Sequence, residues 1–172
     1  MNFRPETLEF LTFLKNHPDL RRQIRAAAGQ TLVYAGSFFK PMWREIEEFK
    51  RTNADYARKE TLPEILTRLP APKPQYANLR AYVETLVDKV PWQPDGFTIW
   101  RALSGIFAAN AVGAVSFQIG SGITDQKVFA ATELAVLSRN PKVDLITKDL
   151  LSYYKRCIES GNTEIGVGFI AR

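Results

Sequence analysis

The sequence predicts an α+β fold, a predominantly helical single domain with a small sheet that includes the C-terminal strand. Apolar residues recur every three or four positions through most of the chain, which is the period of an amphipathic helix. Apolar residues alternate with polar residues or glycines over 115–119 and 164–170, which is typical of half-buried strands. We therefore expect these two segments to pair with each other in a mainly helical domain.

The length and composition of the chain are those of one ordinary globular domain. A chain of 172 residues with 45% hydrophobic residues can bury a core without disulfides or metal. We expect one domain over residues 1–172. The proline-rich segment 70–74 is predicted to be a stiff strap between an N-terminal and a C-terminal half.

Prolines, glycines and capping residues set the boundaries predicted in the N-terminal half. Helices are expected over residues 5–16, 18–29 and 41–49. Thr61 and Glu64 have the spacing of a capping box, so a short helix should run from there to Leu69. Residues 31–39 fit either a short strand or the start of a helix, and the sequence leaves both alternatives open.

A long uncharged segment, residues 102–124, dominates the C-terminal half. Its six Ser, Asn, Gln or Thr residues and four glycines make it too polar for a membrane span, so we expect a buried central helix that ends near Gly113. Gly105, Ala109 and Gly113 recur every four residues and form a small-residue face. Such a face indicates close core packing or a helix-mediated homodimer.

Two further helices are predicted after this segment. Thr124 and Asp125 should cap a helix that runs to about Ser138, and Asn140 should be the N-cap of the last helix. The predicted buried face of that last helix consists of Val143, Ile146, Leu150, Tyr153 and Cys157.

Composition argues against several classes of protein. With one cysteine, Cys157, and one histidine, His17, the chain has no internal disulfide and no zinc site of the usual type. A serine or cysteine triad would have to use His17, which precedes a proline in a helix connection. The sequence therefore predicts no metal and no cofactor. The first residues lack the pattern of a signal peptide, and a cytoplasmic location is expected.

The net charge of +5 is a mild basic excess. The best candidates for contact with nucleic acid are Arg21, Arg22 and Arg25, which fall on one side of the second predicted helix. A solvated helix face is the simpler explanation for these arginines, because so small an excess of positive charge creates a weak electrostatic field. Nucleic acid therefore remains an alternative partner.

Carboxylates could form a metal site, because two-metal nucleases need only acidic ligands. The available set is Asp125, Glu133, Asp144 and Asp149. Helix capping accounts for Asp125 and Asp144 more simply. Helical periodicity around Asp149 also argues against the strand end at which such a ligand would be expected.

Two short motifs resemble those of the nucleoside 2-deoxyribosyltransferases. These are Tyr34-Ala35-Gly36-Ser37-Phe38-Phe39 and Gly161-Asn162-Thr163-Glu164-Ile165-Gly166. The resemblance implies that Glu164 is a catalytic nucleophile. The resemblance covers about a dozen residues.

The function predicted from the sequence is that of a non-enzymatic adaptor or a subunit of a larger bacterial-type assembly. Types of residue suited to catalysis are scarce, and aromatic residues near predicted loops or helix ends are abundant. The partner-binding candidates are Trp92, Phe38, Phe39 and Trp43. The alternatives are an enzyme with carboxylate-based chemistry, namely a metal-dependent nuclease or a deoxyribosyltransferase-like enzyme, and a nucleic-acid-binding protein.

Overall fold

The computed structural model describes residues 2–35, 46–48, 50–119, 127–161 and the backbone of 169–171. It confirms the predicted fold class, a predominantly helical α+β arrangement with a small sheet. Its helices are α1 (Pro5–Asn16), α2 (Pro18–Gln23), α3 (Leu62–Thr67), α4 (Leu79–Lys89), α5 (Phe97–Ala109), α6 (Leu134–Arg139) and α7 (Leu145–Glu159), and its strands are β1 (Thr31–Ala35), β2 (Val115–Ile119) and β3 (Phe169–Ala171). Shorter helical turns lie at Ala54–Tyr56, Trp92–Gly96 and Phe129–Glu133, and residues 46–48 and 50–52 are also helical.

The sheet has the order β1-β2-β3, in which β1 runs parallel to β2 and β3 runs antiparallel to it. The predicted pairing of residues 115–119 with the C-terminal strand is thus confirmed. Residues 31–35, for which the sequence left two alternatives, form a strand. Its backbone groups pair with a neighbour that lies more than eighty residues away in the chain. Local propensity could not identify that neighbour.

The two faces of the sheet differ in chemistry. Side chains alternate along a strand, so residues in parallel register share a face with their partners. One face carries Val33, Val115, Phe117 and Ile119, which belong to the main hydrophobic core. The other face carries Leu32, Tyr34, Ser116 and Gln118, and Ile46 packs against its two β1 residues. We call these four residues of β1 and β2 the polar face of the sheet.

Two glycines allow the chain segments that precede β1 and β2 to approach each other closely. Gly29 and Gly113 both have a positive φ, 74° and 78°, which favours glycine. Gly29 N–H donates to the Val112 carbonyl at 2.8 Å, and Gly113 N–H donates to the Lys142 carbonyl at 2.8 Å. A Cβ atom on Gly113 would lie 3.4 Å from the Gly29 nitrogen. The two strands therefore begin at a close backbone contact.

The Asn140 side chain binds the C-terminal end of the central helix, α5. The sequence predicted Asn140 as the N-cap of the last helix, and that prediction was wrong. The Asn140 side-chain amide donates to the carbonyls of Ala108, Ala109 and Ala111 at 3.0, 3.2 and 2.9 Å. Ala108 and Ala109 end α5 and Ala111 lies just beyond it, where backbone carbonyls lack the partners that a continuing helix would supply. Asp144 is the N-cap of α7, since its carboxylate accepts from Thr147 N–H at 2.8 Å.

The later start of α7 changes its buried face. The buried residues of the helix are Thr147, Leu151, Tyr154 and Cys157. Ile146 and Tyr153, which the sequence assigned to the inward face, are 73% and 47% exposed. The prediction was wrong at these two positions because it counted helical turns from Asn140.

A carboxylate anchors the start of α1 to the turn at Trp92–Gly96. The buried Asp95 accepts from Arg4 N–H at 2.8 Å and from the Thr7 hydroxyl at 2.6 Å. It thereby satisfies an orphan N-terminal donor that no local capping side chain reaches. Within the described residues, none of the helices has the length and apolar character needed to cross a membrane.

Candidate functional site

The polar face of the sheet contains buried groups whose hydrogen-bonding capacity is unused. Tyr34 and Gln118 are register partners near the C-terminal ends of β1 and β2. Ser116 Oγ and Gln118 Oε1 are buried and have no hydrogen-bond partner among the described residues. Fewer than one in ten buried polar groups in proteins have no hydrogen-bond partner, so each such group calls for an explanation.

Glu133 is a buried carboxyl group in a strongly apolar segment. It is the single charged residue between Lys127 and Arg139, and 7% of its surface is exposed. Burial raises the pKa of Glu133 to about 8, although a hydrogen bond with Ser104 on α5 acts in the opposite direction. Desolvation disfavours the charged form of a carboxyl group, so Glu133 is protonated at neutral pH.

The close approach of α5 to the Phe129–Glu133 turn places Ser104 beside Glu133. A Cβ atom on Gly105 would lie 3.3 Å from Thr132 Cγ2, so the absence of a side chain there allows the contact. Arg101 Nε donates to Thr132 Oγ1 at 2.9 Å and fixes the same two elements together. At Gly105, the predicted small-residue face thus serves core packing.

Tyr34, a residue of the polar face, interacts electrostatically with Glu133. Desolvation raises the pKa of the Tyr34 phenol well above its usual range, and the Glu133 carboxyl group raises it further. Arg80 lowers this pKa, while Glu64 and Glu84 raise it. The influence of these charges on one phenol shows that α3, α4 and the Phe129–Glu133 turn all place ionisable groups around it.

The charged groups on the α3 and α4 side of Tyr34 are paired. Lys50 Nζ binds Glu64 Oε2 at 2.7 Å, with 14% and 25% of their side chains exposed. Arg80 Nε binds Glu84 Oε1 at 2.9 Å, with 26% and 48% exposed. Solvent and salt screen these partly buried pairs less than they screen pairs at the surface. The pairs therefore keep their geometry beside Tyr34.

This arrangement supplies neutral hydrogen-bond donors and a transferable proton. Burial keeps the Glu133 carboxyl group protonated at neutral pH, and the Tyr34 phenol, whose ordinary pKa is 10.0, is protonated there as well. A carboxyl group whose pKa lies near the working pH is suited to general acid catalysis. We call Tyr34, Ser104 and Glu133 the Glu133 site.

The residues predicted to contact partners differ in their exposure and in their contacts. Trp92 is 51% exposed and meets the Phe97 ring edge-on, with 6.1 Å between ring centroids. Arg21 donates to the Leu14 carbonyl at 2.7 Å at the end of α1, Arg22 pairs with Asp19, and Arg25 is exposed. The other partner-binding candidates, Phe38, Phe39 and Trp43, lie outside the described residues.

The three described acids among the proposed metal ligands, Glu133, Asp144 and Asp149, do not come together. Asp149 is an exposed residue of helix α7, where no strand end is present, and Asp144 is the N-cap of that helix. Asp125 lies outside the described residues, as does Glu164. Among the residues that the structure describes, no cluster of three or more His, Cys, Asp or Glu side chains could hold a metal.

The sequence contained a signal for Glu133 that the metal-ligand hypothesis misinterpreted. Residues 128–138 contain ten uncharged residues and one acid. A lone acid in an apolar helical segment indicates a buried carboxyl group with an altered pKa more than it indicates a metal ligand. Its proximity to Tyr34 depends on tertiary structure and could not be predicted from spacing.

Comparisons with known proteins identify no family. No family model matches the chain, and no curated protein matches it significantly. Among solved structures, one of CD38, which concerns its catalytic mechanism and a covalent enzyme–substrate complex, is similar at 15% identity and a TM-score of 0.44. The match covers 92% of this chain and 69% of that one. A TM-score of this size is too low to support an argument from that protein.

The buried Glu133 carboxyl group predicts a specific dependence of stability on pH. Unfolding lowers its pKa from about 8 to the ordinary value near 4.5, so the native state binds more protons between those pH values. Stability should therefore fall as the pH rises through that window, by about 1.4 kcal/mol per pH unit from this group. We expect Glu133→Gln to remove this contribution, as measured by urea unfolding at pH 5, 6 and 7.

The exposed Glu159, which α7 presents at its C-terminal end, provides the control. Glu159→Gln should leave the slope of the wild-type curve unchanged. Parallel curves for wild type and Glu133→Gln would show that Glu133 has an ordinary pKa.

Proposed function

We propose that the protein is an enzyme that cleaves a glycosidic bond, with Glu133 as the general acid. The observation that carries this proposal is the protonated, buried Glu133 carboxyl group near Tyr34, at the C-terminal ends of two parallel strands. Buried carboxyl groups with raised pKa values are a recurring feature of catalytic sites that protonate a leaving group.

The proposed reaction uses the proton that Glu133 holds at neutral pH. The bond between the anomeric carbon and the leaving atom breaks, and its electron pair goes to the leaving group, which takes the proton from Glu133. A nucleophile adds to the anomeric carbon, and when that nucleophile is water its proton passes to the Glu133 carboxylate and restores the acid. Tyr34, whose phenol is neutral at this pH, donates a hydrogen bond within the same site.

The resemblance to the nucleoside 2-deoxyribosyltransferases supports the same class of reaction from different residues. Tyr34 and Ala35, which begin the first motif, lie at the end of β1 beside the polar face. In this proposal Glu164, which the resemblance makes the nucleophile, and Glu133, the acid, have the two roles that glycosyl-transferring enzymes divide between carboxyl groups. The proposal therefore retains the enzyme alternative from the sequence and adds Glu133 to it.

Replacing Glu133 tests the proposal directly. We expect Glu133→Gln to lower turnover by at least about 100-fold, because an amide cannot donate the proton that the leaving group needs. The assay measures release of the leaving group from a panel of nucleosides and aryl glycosides. In the wild type, kcat/KM should fall above about pH 8 as Glu133 ionises.

Two further variants sharpen this assay. Glu159→Gln should keep wild-type turnover, because Glu159 lies in the exposed last turn of α7. Glu164→Gln should also abolish turnover if the motif resemblance holds. Wild-type turnover by Glu133→Gln, or a wild-type rate that keeps rising above pH 9, would contradict a general acid role for Glu133.

The second candidate function is the adaptor role, and the exposure of Trp92 favours it. Large aromatic residues that remain half exposed are frequent anchors of protein interfaces. Trp92 is held in a turn that Asp95 fixes to α1, so its indole is presented from a rigid support. In this reading the protein is a cytoplasmic subunit of a larger assembly, and the exposed Arg22 and Arg25 remain candidates for contact with nucleic acid.

The adaptor role predicts that Trp92→Ala weakens partner binding without unfolding the protein. The measurement is affinity purification from the native host, with mass spectrometry of the proteins that co-elute at low and moderate salt. Tyr153→Ala is the matched control, since Tyr153 is 47% exposed on another element. A stoichiometric partner retained by Trp92→Ala would remove this site from consideration.

A further inference from the structure

The first turn of α7 carries the two most exposed large apolar side chains among the described residues. Leu145 is 78% exposed and Ile146 is 73% exposed. The cap that Asp144 provides fixes the backbone of this turn. Isolated exposed apolar residues are common, but a contiguous exposed apolar surface with a polar rim marks a site for another protein or a membrane.

Val112 adds a third exposed apolar side chain from a different segment. Gly113 forms a parallel bridge with Val143, and its N–H donates to the Lys142 carbonyl at 2.8 Å. Val112 therefore lies beside Lys142, and Leu145 follows the same bridge by two residues. Val112 is 38% exposed. One backbone contact thus brings aliphatic side chains of two segments to the same part of the surface.

Cations surround these aliphatic side chains. Arg139 and Lys142 lie just before α7, and the bond from Gly29 N–H to the Val112 carbonyl at 2.8 Å brings in the segment that carries Arg25. The three cations are exposed, and none of them forms an ion pair within the described part of the chain. We call the six residues the Leu145 patch: Arg25, Val112, Arg139, Lys142, Leu145 and Ile146.

An open cavity of about 300 Å³ adjoins the patch. It is lined by Ala109, Val136, Arg139, Asn140 and Pro141. The Asn140 side chain already bonds to backbone groups through both its nitrogen and its oxygen, so the polar group it leaves for a ligand is the Arg139 guanidinium. The other walls are apolar. A phospholipid can place its phosphate on Arg139 and its first methylene groups against these walls.

Two acids limit the extent of the patch. The Asp144 carboxylate accepts from Thr147 N–H at 2.8 Å and is occupied as a helix cap. Asp149 is exposed and lies one turn after Leu145. If α7 lay flat on an anionic surface, Asp149 would meet like charges. The contact therefore involves the first turn of α7 and the loops beside it.

We propose that the Leu145 patch docks the protein onto an anionic lipid bilayer, with Leu145 and Ile146 inserted among the headgroups and the cations bound to lipid phosphates. Exposed aliphatic groups next to unpaired cations complement an interface that is negatively charged outside and apolar within. A protein partner fits less well, because the anchors of protein interfaces are enriched in Trp, Tyr and Arg, whereas Leu and Val are under-represented. Nucleic acid would bind the cations and leave the aliphatic side chains in water.

The test is co-sedimentation of the full chain with lipid vesicles. One set contains phosphatidylcholine alone, and the other contains about 30% phosphatidylserine as well. We expect at least tenfold tighter binding to the anionic vesicles, and weaker binding as the salt concentration rises. The double variant Leu145→Gln with Ile146→Gln should bind at least tenfold more weakly, and Lys142→Glu at least about fivefold more weakly. Melting temperatures should not change, because these side chains are exposed.

Matched controls come from exposed residues of other elements. Leu8 is 49% exposed on α1, and Lys89 is exposed at the end of α4. Leu8→Gln and Lys89→Glu should bind vesicles as the wild type does. Asp149→Lys should tighten binding several-fold, because it replaces a repelled charge with an attracted one. This gain keeps the proposal testable even if the double variant is destabilised.

Several outcomes would overturn the proposal. These are absence of vesicle binding, equal binding to both kinds of vesicle, and undiminished binding by the double variant. Binding to polyuridylic acid that Lys142→Glu weakens and the double variant retains, without vesicle binding, would assign the cations to nucleic acid instead. Dimerisation that the double variant abolishes, without vesicle binding, would assign the aliphatic residues to a second copy of the chain.

Discussion

The hydrogen bonds of the Asn140 side chain fix the position of the central helix, and the candidate site depends on that position. One amide group satisfies carbonyls of Ala108, Ala109 and Ala111 where α5 ends. In the same region Gly113 bonds to the segment that leads into α7. With its C-terminus held, α5 presents Ser104 and Gly105 to the turn that carries Glu133. Strand pairing and site geometry thus share one anchor.

The site is defined by burial more than by charge. Glu133 sits among apolar residues, and desolvation is the main cause of its raised pKa. In such surroundings the protonated carboxyl group is more stable than the ionised one, so Glu133 keeps its proton at neutral pH. The same segment stabilises the core through Phe129 and Leu137, which are almost fully buried. The proposed general acid and core residues therefore come from one helical segment, in which Glu133 is the one charged residue.

Sequence patterns predicted the fold class, the strand character of β2 and β3 and the helices around α1 and α4, because these depend on local periodicity. They failed where tertiary contacts decide. Asn140 has the local character of an N-cap, yet distant carbonyls bind its side chain. Glu133 was assigned to a metal-ligand set, since its burial and its neighbour Tyr34 become visible only after β1 and α5 pack. Unpaired groups such as Gln118 Oε1 leave no trace in a sequence.

The most direct test of this account is the titration of the Glu133 side chain itself. Carbon-13 NMR of the glutamate carboxyl groups, with Glu133→Gln identifying the resonance by its loss, would follow protonation of this residue from pH 4 to 10. We expect a midpoint near pH 8. A midpoint near the ordinary glutamate value of 4.5 would contradict a raised pKa for Glu133.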